Sequence, residues 1–159
     1  MDSSRQLRQK LTRLCYASFV SYLTTVAKRY YTGNPLNPDV RLGTVIDEIN
    51  AAEIEQRINI SVALGVVCVC GNQRQGASVS ATVLTDVTPE MPVMAKEMSG
   101  PVVSVMAFHD VSDAIRLINS MPANFSVSVF TRIRPLITHL VNELRIPSLN
   151  FNRITSPGA

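Results

Sequence analysis

The sequence predicts an α/β protein: a mostly parallel sheet with flanking helices. Three observations carry that expectation. Segments of helical periodicity alternate with short β-branched runs, as they do where crossover helices feed a sheet. Of the 159 residues, 46% are hydrophobic and 17% charged, which excludes a disordered or low-complexity chain and supplies a sizeable core. No apolar run approaches the roughly 18 residues of a membrane span; the best, residues 60–70, is short and interrupted. No glycine period, sustained heptad or internal repeat points elsewhere.

The first helix is read over residues 19–31. Phe19, Tyr22, Leu23, Val26, Ala27 and Tyr30 recur at helical spacing, and Gly33 with Pro35 just beyond forms the stop. A loop through Asp39 follows. Residues 47–63 read as a second helix with an imperfect apolar face of Ile46, Ile49, Ile54, Ile58 and Val62, ended by Gly65. Residues 66–70 read as a strand, 71–76 as an exposed turn and 81–85 as another strand. Pro89, Pro92 and Pro101 make residues 86–101 mostly irregular.

Val102–Phe108 has the composition of a strand. Asp110 then caps a helix whose apolar positions are Val111, Ala114, Ile115 and Ile118. Residues 126–130 alternate small and apolar side chains as a strand does. Pro135 suits the first turn of a helix carrying Leu136, Ile137, Leu140, Val141 and Leu144, and residues 149–151 read as the last strand.

Charge is unevenly spread. Residues 1–38 hold Arg5, Arg8, Lys10, Arg13, Lys28 and Arg29 against Asp2 alone, a net of +5, while the remainder sums to −2. Such a start is either a mitochondrial targeting segment or the solvated face of an ordinary first element. The second reading is preferred because the segment also fits a folded pattern. The compartment expected is the cytoplasm, with the mitochondrion as the alternative. The cations form no stripe interleaved with stacking aromatics, which argues against a nucleic-acid partner. No apolar signal-peptide core opens the chain, and three cysteines do not make a secreted disulfide scaffold. Cys68 and Cys70, at i and i+2 of a strand, share one face and are expected in the core. A metal site there would need two more ligands, and only His109 and His139 are available, so none is expected.

Several motifs occur in order. Ala81-Thr82-Val83-Leu84-Thr85-Asp86-Val87-Thr88-Pro89-Glu90-Met91 is followed by Glu97-Met98-Ser99-Gly100-Pro101-Val102. Phe108-His109-Asp110 precedes Ala114-Ile115; Val129-Phe130-Thr131-Arg132 and Asn152 come later; Gly33-Asn34-Pro35, Leu42-Gly43 and Ile46-Asp47 lie upstream. Together they resemble the aldehyde dehydrogenase superfamily over nearly the whole chain. That family has a Pro-Thr-Val-Leu strand, a "DVTPxM" turn, a Glu-x-Phe-Gly-Pro-Val segment and a Val-Phe-Thr-Arg/Lys strand at these spacings. The resemblance covers only the catalytic-domain portion, read as one unit over residues 1–159 and truncated at both ends. The sequence has no Gly-x-Gly-x-x-Gly fingerprint and no counterpart of the dinucleotide-binding domain or of the family's general-base glutamate.

The resemblance implies oxidation of an aldehyde to a carboxylic acid with NAD or NADP as acceptor. In the family a thiolate attacks the aldehyde carbon, the adduct yields a hydride to the nicotinamide, and water cleaves the thioester. The resemblance places the nucleophile at Ser4, with Arg8 matching the arginine that follows it; Cys15 falls outside that position. A serine hydroxyl without an activating base is a far weaker nucleophile than a thiolate. Glu97 matches the glutamate that binds the nicotinamide ribose, while Ser99 stands where the family has an apolar phenylalanine beside the cofactor. Asn124, Pro147 and Thr44 also depart from the family pattern. The expectation is an aldehyde dehydrogenase-like chain, inactive alone. Its alternative is a non-catalytic interaction module. The partners expected are a second copy of this chain or a full-length aldehyde dehydrogenase subunit, and a small aldehyde if the chain is active. No membrane is expected.

Overall fold

The computed structural model describes residues 8–34, 36–108, 110–121 and 126–153. The chain divides into two compact units at Phe108. The positions Ser4, Pro35, His109 and Asn124 lie outside the described residues.

The first unit is built on four strands: β1 (Arg8–Thr12), β2 (Val67–Cys70), β5 (Thr82–Thr85) and β6 (Val102–Phe108). They lie in the order β1-β6-β5-β2. β1 runs parallel to β6, with Arg8 opposite Ser104 and Thr12 opposite Phe108. β6 runs parallel to β5, with Thr82 opposite Val102. β2 is antiparallel to β5 and bulged between Cys68 and Cys70. The sheet is therefore mostly parallel, as expected, with one antiparallel edge. All four residues of β5 are buried, and so are Val102, Ser104 and Val105 of β6. Burying apolar side chains such as Val83, Leu84, Val102 and Val105 is worth about 1.5–3 kcal/mol each.

Helix α1 (Arg13–Ala27) packs on β5 and β6. It ends short of the glycine stop read in the sequence. Its last turns tighten: the Arg29 and Tyr30 amides donate to the carbonyls three residues back, at 3.0 Å each. Tyr22, placed on the apolar face by periodicity, is 71% exposed.

Helix α2 (Glu48–Ala63) starts where the sequence places it. The Asp47 carboxylate accepts from the Asn50 amide, filling one of the unpaired donors of the first turn. Gly65, at φ +106°, follows its end. The buried face is Ala51, Ile54, Ile58 and Ser61, however, and Ile46 and Ile49 are more than 80% exposed. Hydrophobicity located the helix and two residues of its packing face, Ile54 and Ile58, but not Ala51 or Ser61.

Two further elements depart from the sequence reading. The turn at 71–76 is part of a small hairpin, β3 (Arg74–Gln75) with β4 (Ser78–Val79). The proline-rich stretch contains a one-turn helix, α3 (Pro92–Ala95), packed on α2. Pro92 is tolerated at its start because the first amides of a helix have no intrahelical partner.

The second unit holds α4 (Val111–Asn119), β7 (Ser126–Val129), α5 (Arg134–Glu143) and β8 (Ser148–Phe151), with β7 and β8 parallel. Asp110 caps α4 as expected, accepting from the Asp113 amide at 2.9 Å. Pro135 lies in the first turn of α5. Asn119 joins the ends of α4 and α5: its amide donates to the Glu143 carbonyl and its oxygen accepts from the Arg145 amide, both at 2.8 Å. Asn152 does the same at the strand ends. It accepts from the Thr131 amide and donates to the Thr131 carbonyl, each at 2.9 Å.

Candidate functional site

Glu97 lies between α3 and β6, on a segment held at several points. Met98 is buried at 2% exposure, so the residues on either side of it, Glu97 and Ser99, project outward. The Arg57 guanidinium of α2 donates to the Glu97 carbonyl at 3.2 Å, and Glu53, one turn back on α2, holds that guanidinium by an ion pair. Gly100 is buried against α2: a Cβ there would stand 2.6 Å from Ile54 Cδ1. A side chain at this position would have to displace the Ile54 methyl. Past Gly100, the Pro101 carbonyl accepts from the Thr82 amide at 2.9 Å and the chain enters β6. The backbone of Glu97 is thus fixed while its carboxylate faces solvent. An exposed carboxylate on a fixed backbone is an acceptor for hydroxyl donors.

The strand direction orients this segment. β1, β6 and β5 run parallel, so Arg8 opens β1 at the end of the sheet where Gly100 and Pro101 enter β6.

The turn between β5 and α3 carries a second exposed carboxylate, that of Glu90. A side-chain hydrogen bond from Thr88 holds Glu90 below the ordinary glutamate range, aided by its own backbone amide.

Cys68 and Cys70 are half-buried, not core residues. Exposure alternates along β2, with Val67 and Val69 outward. The reason is position: β2 is the edge of the sheet, and the core face of an edge strand is only partly covered. Burial pushes the Cys68 thiol up, the neighbouring Cys70 charge adds to this, and the Cys70 backbone opposes it. Beside them, a cleft of about 360 Å³ lies between the end of α1 (Ala27, Lys28, Tyr30) and the β2–β5 corner (Val69, Cys70, Gly71, Ala81). Glu97 does not line it. Among the described residues no three His, Cys, Asp or Glu gather as metal ligands, and no helix is long and apolar enough to cross a membrane.

Comparison with known proteins supplies the context for this segment. The family model for the "Aldehyde dehydrogenase family" matches residues 6–159. The chain belongs to the aldehyde dehydrogenase family. A succinate-semialdehyde dehydrogenase [NADP(+)] of Deinococcus radiodurans is 34% identical over 147 residues, covering 91% of this chain and 31% of the relative. The cytosolic aldehyde dehydrogenase 1 of Rattus norvegicus is 33% identical over 120 residues, covering 74% of this chain and 24% of the relative.

Solved structures agree on the aldehyde dehydrogenase fold. Aldehyde dehydrogenase 21 of Physcomitrella patens, in complex with the reaction product succinate, superposes with a TM-score of 0.86 at 26% identity, covering 91% of this chain and 30% of that one. The NADP-dependent glyceraldehyde-3-phosphate dehydrogenase of Bacillus halodurans, complexed with NADP, gives 0.87 at 29% identity, covering 95% and 32%. This chain thus spans about a third or less of the aldehyde dehydrogenases it matches.

Sequence reasoning singled out Glu97 as a candidate through its motif. It did not find Arg57 or Gly100 as the supports of Glu97. Arg57 is one of several charged residues on α2, and its distance of 40 positions from Glu97 hides the pairing.

Proposed function

We propose that these residues form the glutamate arm of an aldehyde-oxidising site, in which Glu97 accepts hydrogen bonds from the ribose of NAD or NADP, and that they do not oxidise aldehydes by themselves. The observation behind this reading is the anchored Glu97 segment: Arg57 and Ile54 fix its backbone and leave its carboxylate free to meet a hydroxyl. The carboxylate fits a ribose diol in its chemistry. Ser99 offers no apolar surface beside it, so within this segment Glu97 would make the contact to the cofactor. The bound nicotinamide would supply the hydride acceptor. On the resemblance the nucleophile position falls on Ser4, and a serine hydroxyl without an activating base attacks a carbonyl poorly.

Thermal unfolding of the 159-residue chain with and without millimolar NAD⁺ or NADP⁺ tests the binding. A ligand that binds only the folded state raises the midpoint. The expected result is a small rise that Glu97→Ala abolishes, with no NADH or NADPH formed on addition of succinate semialdehyde. Aldehyde-dependent reduction that disappears in Ser4→Ala would overturn the reading, as would a midpoint indifferent to both nucleotides.

A second reading is favoured by one observation: among the described residues β2 ends the sheet with one strand neighbour, and Val67 and Val69 face outward. On this reading the chain docks onto a second copy or onto a full-length aldehyde dehydrogenase subunit. A monodisperse monomer that fails to co-purify with such a subunit would refute it.

A further inference from the structure

We propose that the cleft between the end of α1 and the β2–β5 corner binds a small monocarboxylate with an apolar body, the Lys28 ammonium taking the carboxylate. Its volume of about 360 Å³ lies within the range of roughly 300–1,000 Å³ usual for small-molecule sites. Three of its lining residues, Lys28, Tyr30 and Gln73, carry hydrogen-bond donors on their side chains. Among the described residues no ion pair or side-chain hydrogen bond occupies these donors. No Asp or Glu lines the cleft, so the Lys28 charge has no counterion there.

The lining selects the ligand. One ammonium matches one negative charge and leaves a phosphate dianion only half neutralised. A carboxylate is an acceptor only, and ammonium, hydroxyl and amide can all donate to its two oxygens. The rest of the wall is apolar: Ala27, Val69 and Ala81, with the Tyr30 ring. Val69 is 36% and Tyr30 43% exposed, so a hydrocarbon body laid against them removes apolar area from water.

Both sides of the cleft are built before a ligand arrives. The Lys28 amide donates to the Thr24 carbonyl and the Tyr30 amide to the Ala27 carbonyl, each at 3.0 Å. Opposite them, the Gln73 amide donates to Ser80 Oγ at 3.0 Å and the Ser80 amide to the Gln73 carbonyl at 2.9 Å. With the backbone fixed, only side-chain rotamers remain to be ordered on binding, which limits the entropic cost. Glu97 does not line this cleft, so the proposal stands apart from the nucleotide reading.

The test is a titration of the full chain with sodium hexanoate, followed through the backbone amides by proton–nitrogen NMR. Acetate, hexanol and hexylammonium separate the charge from the hydrocarbon body. Hexanoate is expected to give saturable shifts centred on the amides of Lys28, Gly71, Gln73 and Ala81. Hexanol, without the charge, and acetate, without the body, should each bind about tenfold more weakly, and hexylammonium should not bind. Lys28→Met should weaken hexanoate about tenfold and Tyr30→Phe by less, while Lys28→Arg retains binding. The wild-type titrations need no variant to fold. No saturable shift, shifts centred away from the cleft, hexanol or acetate binding as tightly as hexanoate, or affinity unchanged in Lys28→Met would each overturn the proposal.

Discussion

β5 and β2 lie side by side, each four residues long, with the sequences TVLT and VCVC. Both are β-branched runs of the kind that form strands. Yet every residue of β5 is buried, whereas β2 alternates between exposed and half-buried. β5 has a strand on each side and is buried on both faces; among the described residues β2 pairs with one strand. Composition made both segments strands, and place in the sheet decided how far each is buried. The inner strand carries stability. The edge strand keeps its valines in solvent and its thiols within reach of it.

Mutation sharpens this contrast. Leu84, fully buried in β5, should cost about 2–5 kcal/mol when cut to alanine, since the cavity persists. Val67→Ala in β2, at a side chain 48% exposed, should stay within about 0.5 kcal/mol. Urea denaturation of both variants measures the difference, and equal costs would erase the distinction between the strands.

The corner that joins the two strands comes next. Gly71 has φ +89°, and a Cβ there would overlap the Ala81 carbonyl oxygen, which is backbone and cannot swing away. Gly71→Ala is expected to cost roughly 3 kcal/mol, from unfavourable φ and forced displacement together. Its unfolding midpoint should fall nearly as far as that of Leu84→Ala.

Thr82 ties the same corner through its hydroxyl, which accepts from the Asn72 amide and donates to the Ser80 carbonyl, both at 2.9 Å. Thr82→Val preserves shape and strands the amide, at a cost of about 1–3 kcal/mol. Amide exchange at Asn72 should accelerate in this variant more than exchange within β5.

The smallest effect lies on the exposed turn leaving β5. Because Thr88 holds Glu90 below the ordinary glutamate range, the folded state favours the charged carboxylate. That contribution is present above the unfolded glutamate range and is lost as pH falls through the lower folded value. NMR titration of Glu90 should show the lowered midpoint, and Thr88→Val should return it toward the ordinary range.

The candidate site was legible in part. Glu97 and the Gly100-Pro101 that follows stand out as a motif in the linear sequence. The supports do not. Arg57 and Ile54 reach this segment from a helix some forty residues earlier, and nothing in the spacing of α2 singles them out from Glu53, Glu55 or Ile49.

The sequence alone determined the local features. Asp47 and Asp110 cap their helices because a short carboxylate satisfies the free amides of a first turn wherever it occurs. Val102–Phe108 is a strand to the residue, and Pro135 opens α5, because backbone preference at these places depends on near neighbours. Tertiary structure decided burial. It turned α2 so that Ala51, Ile54, Ile58 and Ser61 face inward while Ile46 and Ile49 stay in solvent. It also put β2 at the sheet edge, which left Cys68 and Cys70 half-covered. Hydrophobic burial rewards total area removed from water, not any one side chain, so which apolar residues are covered depends on the neighbours that the whole fold brings.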